Sequence, residues 1–184
     1  MLYRKPCASV LEAIGNLEAT IREINGISEE RFREAFDFIN QRFQEVFREA
    51  FGGGSATLSL QDPKDLLECG IEITAQPPGK SAKALTLLSG GEKALTAISL
   101  LFAIFHFKPS PFCVLDEVDA PLDEANVGRF ATMVQKMKDG TQFIVITHQK
   151  PTMVAADTLY GVTMEEAGCS RLVSVHLREA EALV

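Results

Sequence analysis

Leu88-Ser89-Gly90-Gly91-Glu92-Lys93 stands directly before a helical pattern running from Glu92 to His106, in which Leu95, Ile98, Leu101, Phe102 and Phe105 recur at spacings of three and four. That order puts Ser89, Gly90 and Gly91 at a helix N-terminus. The first backbone N–H groups there lack intrahelical partners, the macrodipole is positive, and glycine lets an anion approach without a Cβ in its way. Such an end suits a phosphate. An N-cap serine with a flexible turn is the plainer reading of an isolated Ser-Gly-Gly, and the neighbouring segments decide between the two.

Downstream, Phe112-Cys113-Val114-Leu115-Asp116-Glu117 places four apolar residues ahead of two carboxylates. This reads as a buried parallel strand with acids at its carboxyl end, where open α/β sheets place ligands. The pair divides into a magnesium-side acid, Asp116, and a base toward attacking water, Glu117, because phosphoryl transfer asks a protein mainly for positioning and charge. Val118-Asp119-Ala120-Pro121-Leu122-Asp123 is then a turn. Gln142 to Ile146 reads as a second buried strand, with Thr147 and His148 at its tip.

In that order and spacing, LSGGEK, CVLDEVDAPLD and FIVITH resemble the signature motif, Walker B motif, D-loop and switch histidine of the ABC-type ATPases. FGGG at 51–54, DPKDLLECGIEI, AQPPGK and LYGVTM narrow the resemblance to the C-terminal half of the head of bacterial SMC (structural maintenance of chromosomes) proteins. The implied fold is an α/β ABC-type head lobe over 51–184, preceded by a coiled-coil arm end and neck over 1–50. The implied cofactors are ATP and Mg. The resemblance further implies that Ser89, Gly90 and Gly91 bind nucleotide across a head dimer, that Asp119, also a nucleotide-binding residue, and Asp123 tie the turn across that dimer, that Asp116 orients water on magnesium, that Glu117 is the base toward the attacking water, and that His148 contacts the γ-phosphate and senses its loss. As plain residues, Asp119 and Asp123 also fit turn and N-cap positions.

Composition bounds these readings. The chain has 184 residues, 46% hydrophobic and 23% charged, enough for one core and an appendage. No apolar run approaches a membrane span, so a cytoplasmic protein is expected, and the resemblance implies association with the nucleoid. Cys7, Cys69, Cys113 and Cys169 form no CxxC pair, which argues for free thiols over zinc. A net charge of −7 weighs against a basic nucleic-acid platform spread over this segment.

From Ala8 to about Ala50 the pattern is helical. Leu11, Ile14, Leu17, Ile21 and Ile24 form one apolar stripe, and Phe32, Phe36, Ile39, Phe43, Val46 and Ala50 form another, with an expected break at Asn25-Gly26-Ile27-Ser28. The first stripe lacks a partner within the chain. In the resembled family that partner is the other strand of an antiparallel coiled coil, so the chain would start partway along an arm. The glycines after Phe51 read as a helix terminator. Alternating strands follow at Thr57–Leu60 and Gly70–Ala75 around a short helical patch at Lys64–Glu68, and further strands close the chain at Leu159–Met164 and Arg171–Leu177. A helix at Asp123–Lys138 and a short one at Lys150–Ala156 complete the pattern.

Gly79-Lys80-Ser81 imitates the end of a P-loop. However, Thr74 stands where its first glycine belongs, Pro77-Pro78 remove backbone donors, and no helix follows directly, so the segment reads as a polar loop. Without a Walker A motif, the resemblance implies partnership with the N-terminal half of the head, a second head in a homodimer, a kleisin subunit, and DNA in the full complex, with no membrane. The expected function is ATP-driven chromosome condensation and segregation. A coiled-coil ABC ATPase of double-strand break repair is the alternative. A transporter motor is more distant, because Val118 stands where such motors carry proline. A scaffold that stays inactive until its other half arrives also fits.

Overall fold

A computed structural model describes residues 4–166 and 168–176. Helix α1 spans Arg4–Phe51 without interruption. The expected break at 25–28 is absent, and Ser28 is an interior residue rather than an N-cap. Gly26 costs a helix only about 1 kcal/mol relative to alanine, no proline removes a rung, and good helix formers flank it, so the ladder runs through.

The two halves of α1 differ in surroundings. Leu11, Ile14, Leu17, Ile21 and Ile24 lie exposed along the first half, whereas Phe43, Val46, Phe47 and Ala50 are buried. The neck half is therefore part of the lobe's own core. Glycine ends the helix: Gly53 N–H donates to Arg48 O at 2.9 Å and Gly52 N–H to Glu49 O at 3.3 Å, with Gly52 at φ +70°, a Schellman closure. Arg129 Nη1 caps from outside, reaching Phe51 O at 3.0 Å.

Strands β1 (Ser55–Leu60) and β2 (Ile71–Gln76) pair antiparallel, and β3 (Lys83–Ala84) adds to β2. Asn40 clips β1 to α1, since Leu58 N–H donates to its Oδ1 at 2.9 Å and its Nδ2 donates to Leu58 O at 3.3 Å. The expected helical patch at 64–68 is a set of turns instead. Asp62 and Asp65 accept from the amides of Lys64 and Glu68, offering the backbone an alternative to helix.

Helix α2 (Gly90–Phe107) is followed by β4 (Phe112–Asp116), α3 (Glu124–Met137) and β5 (Gln142–Ile146). Strands β4 and β5 are parallel, in register from Phe112↔Gln142 to Asp116↔Ile146. Phe102 of α2 is fully buried, with ring centroids 6.4 Å from Phe130 of α3 and 6.1 Å from Phe143 of β5. These strands were expected to be buried on both faces. Leu115 is buried and Cys113, Phe143 and Val145 are half-buried, but Phe112, Val114, Ile144 and Ile146 stand 48–59% exposed. The chain's own helices cover only one face of this two-stranded sheet.

Helix α4 (Lys150–Val154) leads into the hairpin β6 (Thr158–Glu166) and β7 (Cys169–His176). No helix among the described residues is long and apolar enough to cross a membrane. Of the cysteines described, Cys69, Cys113 and Cys169 are free thiols.

Candidate functional site at the strand tips

The parallel register of β4 and β5 brings the acids of one strand beside the polar tip of the other. Asp116 pairs with Ile146 at the last rung, and Glu117 N–H then donates to Ile146 O at 2.9 Å. Glu117 alone among the described non-glycine residues has positive φ, at 48°. That left-handed turn ends the strand and points the chain into the Val118–Asp123 turn. A non-glycine residue in this region is uncommon and costs conformational energy, which the surrounding structure has to offset.

His148 stands one residue beyond Thr147, with Nδ1 3.9 Å from Glu117 Oε1 and both side chains about two-thirds exposed. Asp116, Glu117 and His148, 32 residues apart at most in the sequence, thus converge on one solvent-facing edge. No cluster of three or more His, Cys, Asp or Glu able to enclose a metal occurs among the described residues. Exposed carboxylates at a strand tip fit a magnesium ion that takes one or two protein oxygens and completes its shell with water and phosphate. Asp116 would reach such an ion through a bound water.

Asp119, expected to bind nucleotide and to tie the turn across a dimer, is fully buried in its own chain. Its Oδ2 accepts from Thr147 Oγ1 at 2.7 Å and Thr152 Oγ1 at 2.5 Å, while Oδ1 is buried without a partner. Thr147 Oγ1 in turn accepts from Gln149 N–H at 2.9 Å, so the residues on both sides of His148 are held through this carboxylate. A threonine 33 residues from its aspartate carries no local sequence signal for the pairing. Asp123 is the N-cap of α3, accepting from Asn126 N–H at 2.9 Å.

Ser89 caps α2 in a full capping box. Its N–H and Oγ both donate to Glu92 Oε2, at 3.0 and 2.7 Å, and Glu92 N–H donates back to Ser89 Oγ at 3.4 Å. Glu92 Oε1 meets Lys80 Nζ at 2.8 Å. The Lys80 contact first, then the bonds from Ser89, pull the Glu92 carboxyl down from 4.5 to about 2. Gly90 has open space around it, and a Cβ on Gly91 would lie 3.1 Å from Pro121 O, so the signature turn rests on the turn after β4.

A depressed carboxyl contributes stability above its unfolded pKa and loses it as pH falls toward the folded value. The stability difference between the wild type and Glu92→Gln should therefore shrink as pH drops from about 4.5 to about 2, as read by denaturant titrations at each pH. A constant difference would show that this carboxylate is not the titrating cap.

Residues 16–171 match the family model described as RecF/RecN/SMC N terminal domain. The chromosome partition protein Smc of Myxococcus xanthus (strain DK1622) is 56% identical over 170 residues, covering 92% of this chain and 14% of that protein. The protein of the same name from Bacillus subtilis (strain 168) is 56% identical over 173 residues, 94% of this chain and 15% of its own length. The chain thus spans about one-seventh of these relatives. Among solved structures, the Pyrococcus furiosus Smc head with an extended coiled coil, bound to the C-terminal domain of ScpA, superposes with a TM-score of 0.83 at 42% identity. That match covers 97% of this chain and 45% of the other. The SMC head domain from Thermotoga maritima gives 0.61 at 44% identity, over 81% of this chain and 51% of its own. This chain belongs to the SMC family, and its fold is a segment of the SMC head continuous with the end of its coiled coil.

Proposed function

We propose that this chain is the C-terminal half of an SMC head that hydrolyses ATP between two engaged heads and drives chromosome condensation and segregation on DNA. The convergence of Asp116, Glu117 and His148 on the tips of two paired parallel strands carries this reading. The chain names no P-loop of its own, and the uncovered face of Phe112, Val114, Ile144 and Ile146 has the apolar character an N-terminal half carrying that loop would cover. The exposed stripe from Leu11 to Ile24 is the matching seam for a second coiled-coil helix.

In this reading Glu117 accepts a proton from the attacking water at its carboxylate, and Asp116 orients water beside the phosphates. Magnesium, when bound, neutralises charge on the phosphate oxygens. His148 senses the γ-phosphate from the tip of β5, held in place through Thr147 and Asp119. Ser89, Gly90 and Gly91 present the N-terminus of α2 to the nucleotide of the opposite head in a homodimer. Asp119 then serves the nucleotide from within its own chain, through the two threonines it binds.

The Pyrococcus furiosus head is described with a ScpA domain bound, and a kleisin-type partner is proposed for this protein as well. Tyr160, Val162, Met164 and Leu172 stand exposed on the β6–β7 hairpin and offer it an apolar surface. The relatives named for chromosome partition favour this function over break repair. A soluble protein of the cytoplasm and nucleoid is the matching location.

ATP hydrolysis by the chain alone, and by the chain mixed with an N-terminal head half bearing a P-loop, tests the reading. Turnover is expected only in the mixture. Turnover by the chain alone would return Gly79-Lys80-Ser81 to consideration as a phosphate cradle and undo the split-site assignment.

A further inference from the structure

Pro77-Pro78-Gly79-Lys80 folds as a tight turn. Lys80 N–H donates to Pro77 O at 3.1 Å and Gly79 sits at φ +74°. Proline at the second position and a left-handed glycine at the third are what a type II turn selects. The turn is rigid where it delivers Lys80, whose Nζ lies 2.8 Å from Glu92 Oε1.

Glu92 is the hinge between two partners. One oxygen takes the Lys80 ammonium and the other takes the Ser89 hydroxyl and amide. The carboxylate side chain is 16% exposed and the lysine 56% exposed, so the negative charge is the more sheltered of the two. A carboxylate in the first turn stabilises a helix, but the same charge opposes any second anion brought to that helix end. A triphosphate docking on Ser89 would meet Glu92 at close range, and in a partly dehydrated interface the repulsion is larger than in water. Lys80 cancels that charge while leaving Glu92 in place to orient Ser89.

We propose that Lys80 is a positioning residue for the signature motif, acting through Glu92 to keep the N-terminus of α2 receptive to the triphosphate of an opposing head. This rests on the trans role of Ser89 proposed above. It assigns Lys80 no contact with the nucleotide itself.

The test uses complete heads, with both halves present, and reads steady-state ATP hydrolysis together with ATP-dependent dimerisation. Lys80→Ala should raise the ATP concentration for half-maximal turnover about three- to fivefold, the upper end of what one partly exposed charge pair contributes, with turnover at saturating ATP changed less than about twofold. Lys80→Arg, which keeps the ion pair, should restore the wild-type value. The double variant Lys80→Ala/Glu92→Gln should match Glu92→Gln alone within about twofold, because glutamine keeps the capping box and carries no charge to cancel. A double variant as impaired as Lys80→Ala would mean the lysine acts on phosphate directly, and a silent Lys80→Ala, or a loss confined to saturating turnover, would equally overturn the proposal. Ser89→Arg separates the two levels. If it leaves ATP-dependent dimerisation intact, the trans reading itself fails, whereas loss of dimerisation in Ser89→Arg beside a silent Lys80→Ala removes only the role of Lys80.

Discussion

Glu117→Gln is expected to lower ATP turnover of the complete head by at least about 10²-fold, the usual loss when a positioned general base is removed, while ATP-dependent dimerisation persists. The substitution keeps size and hydrogen-bonding shape but cannot accept the proton. Glu117 is solvent-facing and 3.9 Å from His148, so its loss opens no cavity and breaks no buried pair. Its left-handed backbone, at φ 48°, is as accessible to glutamine as to glutamate. Folding should therefore survive and the chemistry alone should suffer. Steady-state hydrolysis, with dimer mass measured with and without ATP, checks this. Dimers that hydrolyse at the wild-type rate would remove Glu117 from the base role, and loss of both dimer and turnover would place its contribution in nucleotide binding instead.

Phe102→Ala is expected to carry the largest stability cost, about 3–5 kcal/mol for truncating a fully buried phenylalanine. Phe102 is inaccessible to solvent and joins three elements, α2 through its own backbone, α3 through Phe130 and β5 through Phe143. Phe130 is itself fully buried, so the vacated space is hemmed in by another large ring and can collapse only partly. The effect should also reach the candidate site, because Phe143 lies on the strand that leads directly into Thr147 and His148. Denaturant unfolding of the complete head reads the loss as a lower midpoint. A shift equivalent to less than about 1 kcal/mol would show that the three elements can close around the gap.

The local geometry of the candidate site was legible where it depends on neighbouring residues. Ser89 announces itself by standing three residues ahead of Glu92 at the start of an apolar period, and the structure closes the capping box between them. Asp116 and Glu117 announce themselves by ending an apolar run, which the parallel register with Gln142–Ile146 explains. The misreadings have physical causes. Gly26 looked like a break because glycine is a poor helix former, yet its penalty is small against the cooperativity of a 48-residue helix. Lys64–Glu68 looked helical by composition, but aspartates at 62 and 65 captured the amides first.

By itself the amino-acid order determined most of the elements, the helix N-terminus at Ser89, the acids at the end of β4 and the membership in an α/β class, because each follows from periodicity, capping and turn chemistry within a few residues. Only the tertiary structure decided that Asp119 turns inward to Thr147 and Thr152, that Lys80 closes on Glu92, and that one face of β4 and β5 stays open. Those outcomes depend on which distant segments meet in space. A hydrogen bond across 33 residues, or a sheet face left without a cover, is set by packing and leaves no periodic trace in the chain.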